Sequence, residues 1–229
     1  MITKRKYPYF AEQSWSNILC LHWPVDVELI RPYVPKPFLI DLFNDKAWVT
    51  IVVFRAKESL FRSMPTWTAY PPVTQINVRT YVKHPKSPER GIYFFSLLVN
   101  SFVATYGARS LFGLPFYSLT NTYEQIHHNV VVNSFLKGSH IFSVHYKPKD
   151  HLIQDDLAYF LSERYCIWNI HRHRIIKIPV HHSNWTLQDV QVQVKENQLV
   201  WDKDAEFFAH YSPFKHTKLY PFETYGYYG

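Results

Sequence analysis

Short runs of β-branched and aromatic residues, separated by proline breaks, set the tightest limit on what this chain can become. Val, Ile, Thr, Tyr and Phe fit a pleated surface, whereas proline cannot donate to a ladder and interrupts it. The breaks are "YVPKPF", "YPPV" and "HPKSPERG". Strands are therefore expected at 47–56, 74–82, 92–99, 116–123, 129–135, 140–146, 165–171, 175–181, 187–195 and 206–211. Strands so short and so regularly spaced predict an antiparallel sandwich or barrel. The 229 residues are 47% hydrophobic and contain no linker, repeat or low-complexity stretch, so 1–229 reads as one mainly β domain.

Helices are expected in three places only. Residues 26–33 begin at Asp26, with Pro35 just beyond their end. In 101–112, Ala104, Ala108, Leu111 and Phe112 share a stripe small enough to pack on a sheet. In 155–164, Asp155 and Asp156 favour the helix dipole and Leu157, Phe160 and Leu161 share a face. All three read as lids or plugs.

The formal charge of +7 invites a nucleic-acid reading, but the basic residues are scattered. The one dense cluster is "HRHR", His171 to Arg174, and no nucleic-acid module frames it, so no nucleic-acid partner is expected. Cys20 and Cys166 stand far apart, outside metal-ligand spacing, which favours a reducing compartment. The start "MITKRKYPYFAEQSW" lacks the apolar run of a signal peptide, and no segment reaches the roughly 20 apolar residues of a membrane span. A cytoplasmic protein with no membrane partner is the expectation.

The most informative strand is "TQINVRTYV". Alternation sends Ile76, Val78 and Thr80 to one face and Gln75, Asn77, Arg79 and Tyr81 to the other. Periodicity alone leaves two readings open. Either the polar face meets water, or it lines a cavity where the guanidinium of Arg79 holds an anion.

Six stretches, in order, carry a wider resemblance: "HWPVDVELIRPYVPKPFLIDLF", "INVRTYV", "GIYFFSLLVNS", "ARSLFGLPFY", "FLSERY" and "HHSNWTL". Together they resemble the YqjF-like family of uncharacterised proteins, placed in the acetoacetate decarboxylase-like superfamily. The resemblance implies an antiparallel acetoacetate decarboxylase-like β-barrel with a few short helices and an internal cavity. It also implies a homo-oligomer, because the superfamily's decarboxylases assemble.

In those decarboxylases the segment similar to "ARSLFGLPFY" carries two lysines, the first forming a Schiff base and the second lowering its pKa. The match puts Phe116 and Tyr117 at the lysine positions, with Arg109 and Pro115 retained. A benzyl or phenol group supplies no amine, so imine-forming decarboxylation at this position is excluded. Lys177, in "IIKIPV", is the one other lysine with apolar neighbours on both sides, and alternation is expected to point it outward along the surface.

What remains is arginine, hydroxyl and carboxylate chemistry. Arg79, Tyr81, Phe116 and His182 are the candidate substrate-binding residues, and Arg109, Tyr117 and Glu163 the candidate catalytic ones. Arg79 and Arg109 would orient a small acidic or carbonyl ligand, with Tyr117 or Glu163 moving a proton. Two structural alternatives stay open: Arg109 as a capping or pairing residue, and Glu163 in an ion pair with a nearby arginine.

The paired histidines at 127–128, 171–173 and 181–182 have no acidic or cysteine partner at ligand spacing, so no metal is expected. With six glycines and neither a G-x-S-x-G elbow nor a phosphate loop, no nucleophilic hydrolase and no nucleotide cofactor is expected. Three classes survive: an enzyme without a Schiff base, a barrel that binds or senses a small molecule, an apolar one included, without turnover, and a structural or interaction protein.

Overall fold

Pairing between distant strands builds the architecture. A computed structural model describes residues 8–61, 72–100, 109, 112–201 and 205–228. Its strands are β1 (Ala11–Val25), β2 (Leu39–Ile40), β3 (Ala47–Phe61), β4 (Val73–Lys83), β5 (Arg90–Val99), β6 (Phe116–Ser118), β7 (Thr120–Ile126), β8 (Asn129–Leu136), β9 (Ser139–Ile153), β10 (Cys166–His171), β11 (Arg174–His182), β12 (Leu187–Asn197), β13 (Phe208–Leu219) and β14 (Glu223–Tyr227). They form one sheet in the order β14-β11-β10-β5-β4-β3-β1-β13-β12-β9-β8-β7, and a further β11–β13 pairing closes part of that path into a ring. Pairings are antiparallel except β5–β10 and β5–β6, which are parallel.

The ten expected strands are present, with 116–123 divided between β6 and β7. β1, β2 and β14 were not expected, although β1 is central to the ring. In β1 a bulge at Asn17, whose φ is 52°, breaks the alternation, so its polar and apolar residues do not read as one strand. The cluster "HRHR" is the β10–β11 hairpin: Arg172 and His173 take φ of 48° and 61°, as a tight turn with two left-handed residues requires.

The helix expected at 26–33 is a single turn, α1 (Val27–Ile30), followed by a 3-10 turn through Arg31–Tyr33, where Pro32 cannot extend an α-helix. The third is α2 (Asp156–Ser162), whose first turn is capped by Asp155: its carboxylate accepts from the Ala158 N–H at 2.6 Å. The helix expected at 101–112 lies mostly outside the described residues, of which Arg109 and Phe112 are helical.

Two apolar layers position the site. The extension β12-β9-β8-β7 packs Val130, Val132, Phe142 and Val144 against Leu19, Leu21, Val49, Ile51, Ile76 and Val78 of the ring. The other face of the ring packs Trp48, Tyr81, Phe94 and Leu97 with Phe160 and Leu161 of α2. β4 is thus buried on both sides, and the face carrying Arg79 turns inward. At the parallel β5–β10 junction a Cβ on Gly91 would lie 2.7 Å from the Cys166 carbonyl and from the Trp168 ring. Gly91→Ala is expected to cost about 1–3 kcal/mol, read as a lower melting temperature. An unchanged melting temperature would contradict this close approach.

Candidate functional site

The inward face of β4 lies in register with β3 and, through it, with β1. Cross-strand register sets His22 of β1 beside Thr50 of β3, and Thr50 beside Arg79 of β4. The polar residues of "TQINVRTYV" are therefore interior groups, and the solvent-facing reading of this strand does not hold: Gln75, Asn77, Arg79 and Tyr81 are all buried. Gln75 donates to Asn77 at 2.7 Å, whereas Arg79 and Tyr81 reach beyond the strand.

Both residues meet the C-terminal end of α2. Arg79 Nη2 donates to the Leu161 carbonyl at 3.3 Å, and the Tyr81 hydroxyl donates to the same oxygen at 3.0 Å. Unpaired carbonyls at a helix end carry partial negative charge, so they attract cations. Arg164 uses the same feature, donating from Nε to the Phe160 carbonyl at 2.7 Å. Its guanidinium lies 5.0 Å from the centre of the Tyr81 ring and that of Arg79 5.8 Å, so two buried guanidiniums flank one phenol.

Their compensation is unequal. Arg164 Nη1 lies 2.7 Å from Asp41, a fully buried carboxylate that also takes Arg90 at 2.7 Å. Burial lowers the Arg164 pKa, and the Asp41 contact offsets only part of that shift. Arg79 has no carboxylate partner among the described residues. Among the described residues, Nε of Arg79 and Nη2 of Arg164 are buried donors with no acceptor. Unsatisfied buried donors on a cation are costly, and a ligand with acceptor oxygens would satisfy them.

The remaining expected residues fall into two further groups. Glu163 ends α2; one of its oxygens accepts from the Trp185 N–H at 2.8 Å and the other from the Tyr165 hydroxyl, so neither faces an arginine. His182 stacks on Tyr165, and its ring nitrogens lie 2.9 and 3.1 Å from the carbonyls of Ser183 and Arg164. Burial is the main cause lowering its pKa. Arg109 and Tyr117 are exposed, the guanidinium 5.6 Å from the phenol ring centre. Phe116 packs with the cluster that contains Tyr81. The structure therefore brings Arg79 and Tyr81 together, and holds Glu163 with His182 and Arg109 with Tyr117 elsewhere.

Lys177 departs from its expected outward course. It is buried between Glu89 and Glu223. Burial alone would lower its pKa, but the hydrogen bonds it donates to the two carboxylates outweigh this and raise it, so the amine stays protonated and is not a nucleophile. Among the described residues no cluster of His, Cys, Asp and Glu is arranged to hold a metal ion. No described helix is long and apolar enough to cross a membrane.

The sequence pattern did not point to Asp41 or Arg164, nor to the buried row in which Thr50 Oγ1 lies 2.8 Å from His22 Nδ1 and His22 Nε2 3.2 Å from His210 Nδ1. Residues 12–218 match the DUF2071 family, described as an uncharacterized conserved protein. The chain belongs to the DUF2071 family. A DUF2071 relative is the uncharacterized protein YqjF of Bacillus subtilis, 30% identical over 194 residues that cover 82% of this chain and 79% of that protein. Among solved structures, an acetoacetate decarboxylase from Legionella pneumophila superimposes with a TM-score of 0.70 at 12% identity, covering 100% of this chain and 93% of that one. An acetoacetate decarboxylase-like enzyme from Sphingomonas wittichii RW1 gives 0.69 at 10% identity, covering 96% and 95%. The enduracididine biosynthesis enzyme MppR, complexed with pyruvate, gives 0.66 at 8% identity, covering 97% and 93%. This DUF2071 chain thus has the acetoacetate decarboxylase-like fold that the sequence resemblance implied.

Proposed function

We propose that this protein binds a small carboxylate, such as a 2-oxo acid, between Arg79 and Arg164, and that any chemistry on it proceeds without a Schiff base. The observation that carries the reading is the buried guanidinium of Arg79, which has an orphan Nε–H and no acid partner among the described residues. A carboxylate would supply two acceptor oxygens and the missing negative charge. Arg164 takes the place given to Arg109 in the sequence reading, because Arg109 is exposed beside Tyr117. Tyr81 is the phenol flanked by both cations, and Phe116 belongs to the apolar wall. Pyruvate is the first ligand to try, since a protein of the same fold was solved with it.

The test is a thermal-shift titration with pyruvate, acetoacetate and other small carboxylates, on the parent and on Arg79→Met. A ligand at about 100 times its Kd stabilises by about 2.7 kcal/mol, which in a chain of this size raises the melting temperature by roughly 5–10 °C. Arg79→Met is expected to abolish that rise while leaving the ligand-free melting temperature equal or higher, because an uncompensated buried charge is removed. A parent unmoved by every carboxylate, or a rise indifferent to Arg79→Met, would defeat the anion reading.

A further inference from the structure

Behind Tyr81 lies a buried hydrogen-bond chain that the anion site does not use. Tyr81 Oη lies 2.7 Å from Thr50 Oγ1, Thr50 Oγ1 lies 2.8 Å from His22 Nδ1, and His22 Nε2 lies 3.2 Å from His210 Nδ1. Its polarity follows from one acceptor. The Leu161 carbonyl cannot donate, so the hydroxyl proton of Tyr81 points to it. Tyr81 Oη must then accept from Thr50, Thr50 from His22 Nδ1–H, and His22 Nε2 from His210 Nδ1–H. Each contact along the row then runs from donor to acceptor in the same direction.

His22 must be neutral for this order to exist, because an imidazolium has no acceptor nitrogen, and His210 must be neutral for its Nε2 to take up a proton. Burial, together with the neighbouring His210 and Arg79, holds His22 well below the usual histidine range, and burial lowers His210. Tyr81 and Thr50 are wholly enclosed, His22 is 2% exposed and His210 6%, so His210 is the outer end. Asp155 and Asp189 are the acids whose fields reach it, and Arg79 and Cys20 flank the inner part.

We propose that Tyr81, Thr50, His22 and His210 form a one-way proton relay that delivers a proton from His210 to a ligand held beside Arg79. This inference rests on the anion-site reading for its inner end. A basic atom of the ligand replaces the Leu161 carbonyl as the acceptor of the Tyr81 hydroxyl and takes its proton. Tyr81 Oη takes the Thr50 proton, Thr50 takes that of His22 Nδ1, His22 Nε2 takes that of His210 Nδ1, and His210 Nε2 takes one from solvent. One proton enters the row, one leaves it, no charge stays behind along it, and both imidazoles change tautomer. Tyr81 is the group that touches the ligand; Thr50, His22 and His210 act through it.

Two measurements on protein labelled at histidine and tyrosine decide the matter. Long-range proton–nitrogen spectra of the ligand-free parent are expected to show His22 and His210 both protonated at Nδ1 and bare at Nε2. Exchange of the Tyr81 hydroxyl proton with water is expected to slow at least about tenfold in Thr50→Val, which keeps the shape but removes the hydroxyl, and to recover in Thr50→Ser. Should Thr50→Val not fold, His210→Gln gives the same slowing, since an amide side chain relays no proton. A bare Nδ1 on His22, or exchange in either variant as fast as in the parent, would overturn the relay. Pyruvate thermal shifts on the same variants separate the two proposals. Retained stabilisation with unslowed exchange refutes the relay alone; absent stabilisation with slowed exchange refutes the anion reading and leaves the chain of hydrogen bonds established.

Discussion

Asp41→Ala is expected to be the most damaging single substitution near the site, lowering stability by about 3–5 kcal/mol and the melting temperature by about 10 °C or more. Asp41 is fully buried just after β2, and it receives Arg164 and Arg90 on its two oxygens. Its own N–H is tied to the Tyr81 carbonyl at 2.9 Å, so the carboxylate is anchored to the strand that bears Arg79. Without it, Arg164 is left as a second buried guanidinium with no acid beside it, and its Nη2 is already an orphan. An ion pair broken on one side costs more than one removed whole, because the remaining charge stays desolvated. Asp41→Ala combined with Arg164→Met should therefore recover a large part of the loss. Differential scanning calorimetry of the parent, the single variants and the double variant checks this. A double variant as unstable as the sum of its parts would show that the pair is held by packing, not charge.

How much of this site was readable from the sequence follows from where each partner lies along the chain. Arg79 and Tyr81 were legible because they share one face of one strand, and a period of two is a local signal. Their burial was not, since the face "Q-N-R-Y" has the composition of a solvated one. What encloses it is the β11–β13 pairing that closes the ring, and such pairing leaves no local pattern in the residues. Asp41, His22 and His210 converge on this face from the segment after β2, from β1 and from β13, and no spacing rule links them. Arg164 was in view within "FLSERY", but only the Phe160 and Leu161 carbonyls at the end of α2 reveal that it caps a helix beside Tyr81. Arg109 illustrates the reverse case: a matched motif position does not say on which side of the ring the side chain emerges.

The fold shows the same division between local and distant information. Strands bounded by prolines or tight turns were legible because Pro and left-handed residues act on the backbone where they stand. β1 was not, and its bulge is the reason. Before Asn17, Trp15 packs with Phe54 on one face; after it, Ile18 and Cys20 continue on that face, so one residue is skipped and a period-two reading loses phase. β14 is short, and its residues are exposed or half-exposed, so it has little apolar signal of its own.

That bulge supports the last prediction, because Asn17 joins the ring to its outer layer. Its amide donates to the Tyr123 hydroxyl at 2.6 Å and to Gln125 at 3.0 Å, its side-chain oxygen accepts from Tyr211 at 2.8 Å, and its backbone carbonyl accepts from Tyr146 at 3.1 Å. Asparagine suits the position twice over, tolerating φ of 52° and filling a polar gap among three tyrosines. Asn17→Ala loses both advantages: about 1 kcal/mol of backbone preference and about 1 kcal/mol or more for each side-chain bond to a partly buried tyrosine, some 3–4 kcal/mol together. Asn17→Gly restores the backbone term alone, so it should be the milder of the two by about 1 kcal/mol. Urea denaturation followed by tyrosine and tryptophan fluorescence measures both. Equal losses in the two variants would mean that the left-handed backbone carries no strain and that the hydrogen bonds alone hold the layers together. If glycine instead recovered nearly the whole loss, the tyrosine contacts would be incidental and the bulge itself would be what aligns β1 with β13 and the outer layer.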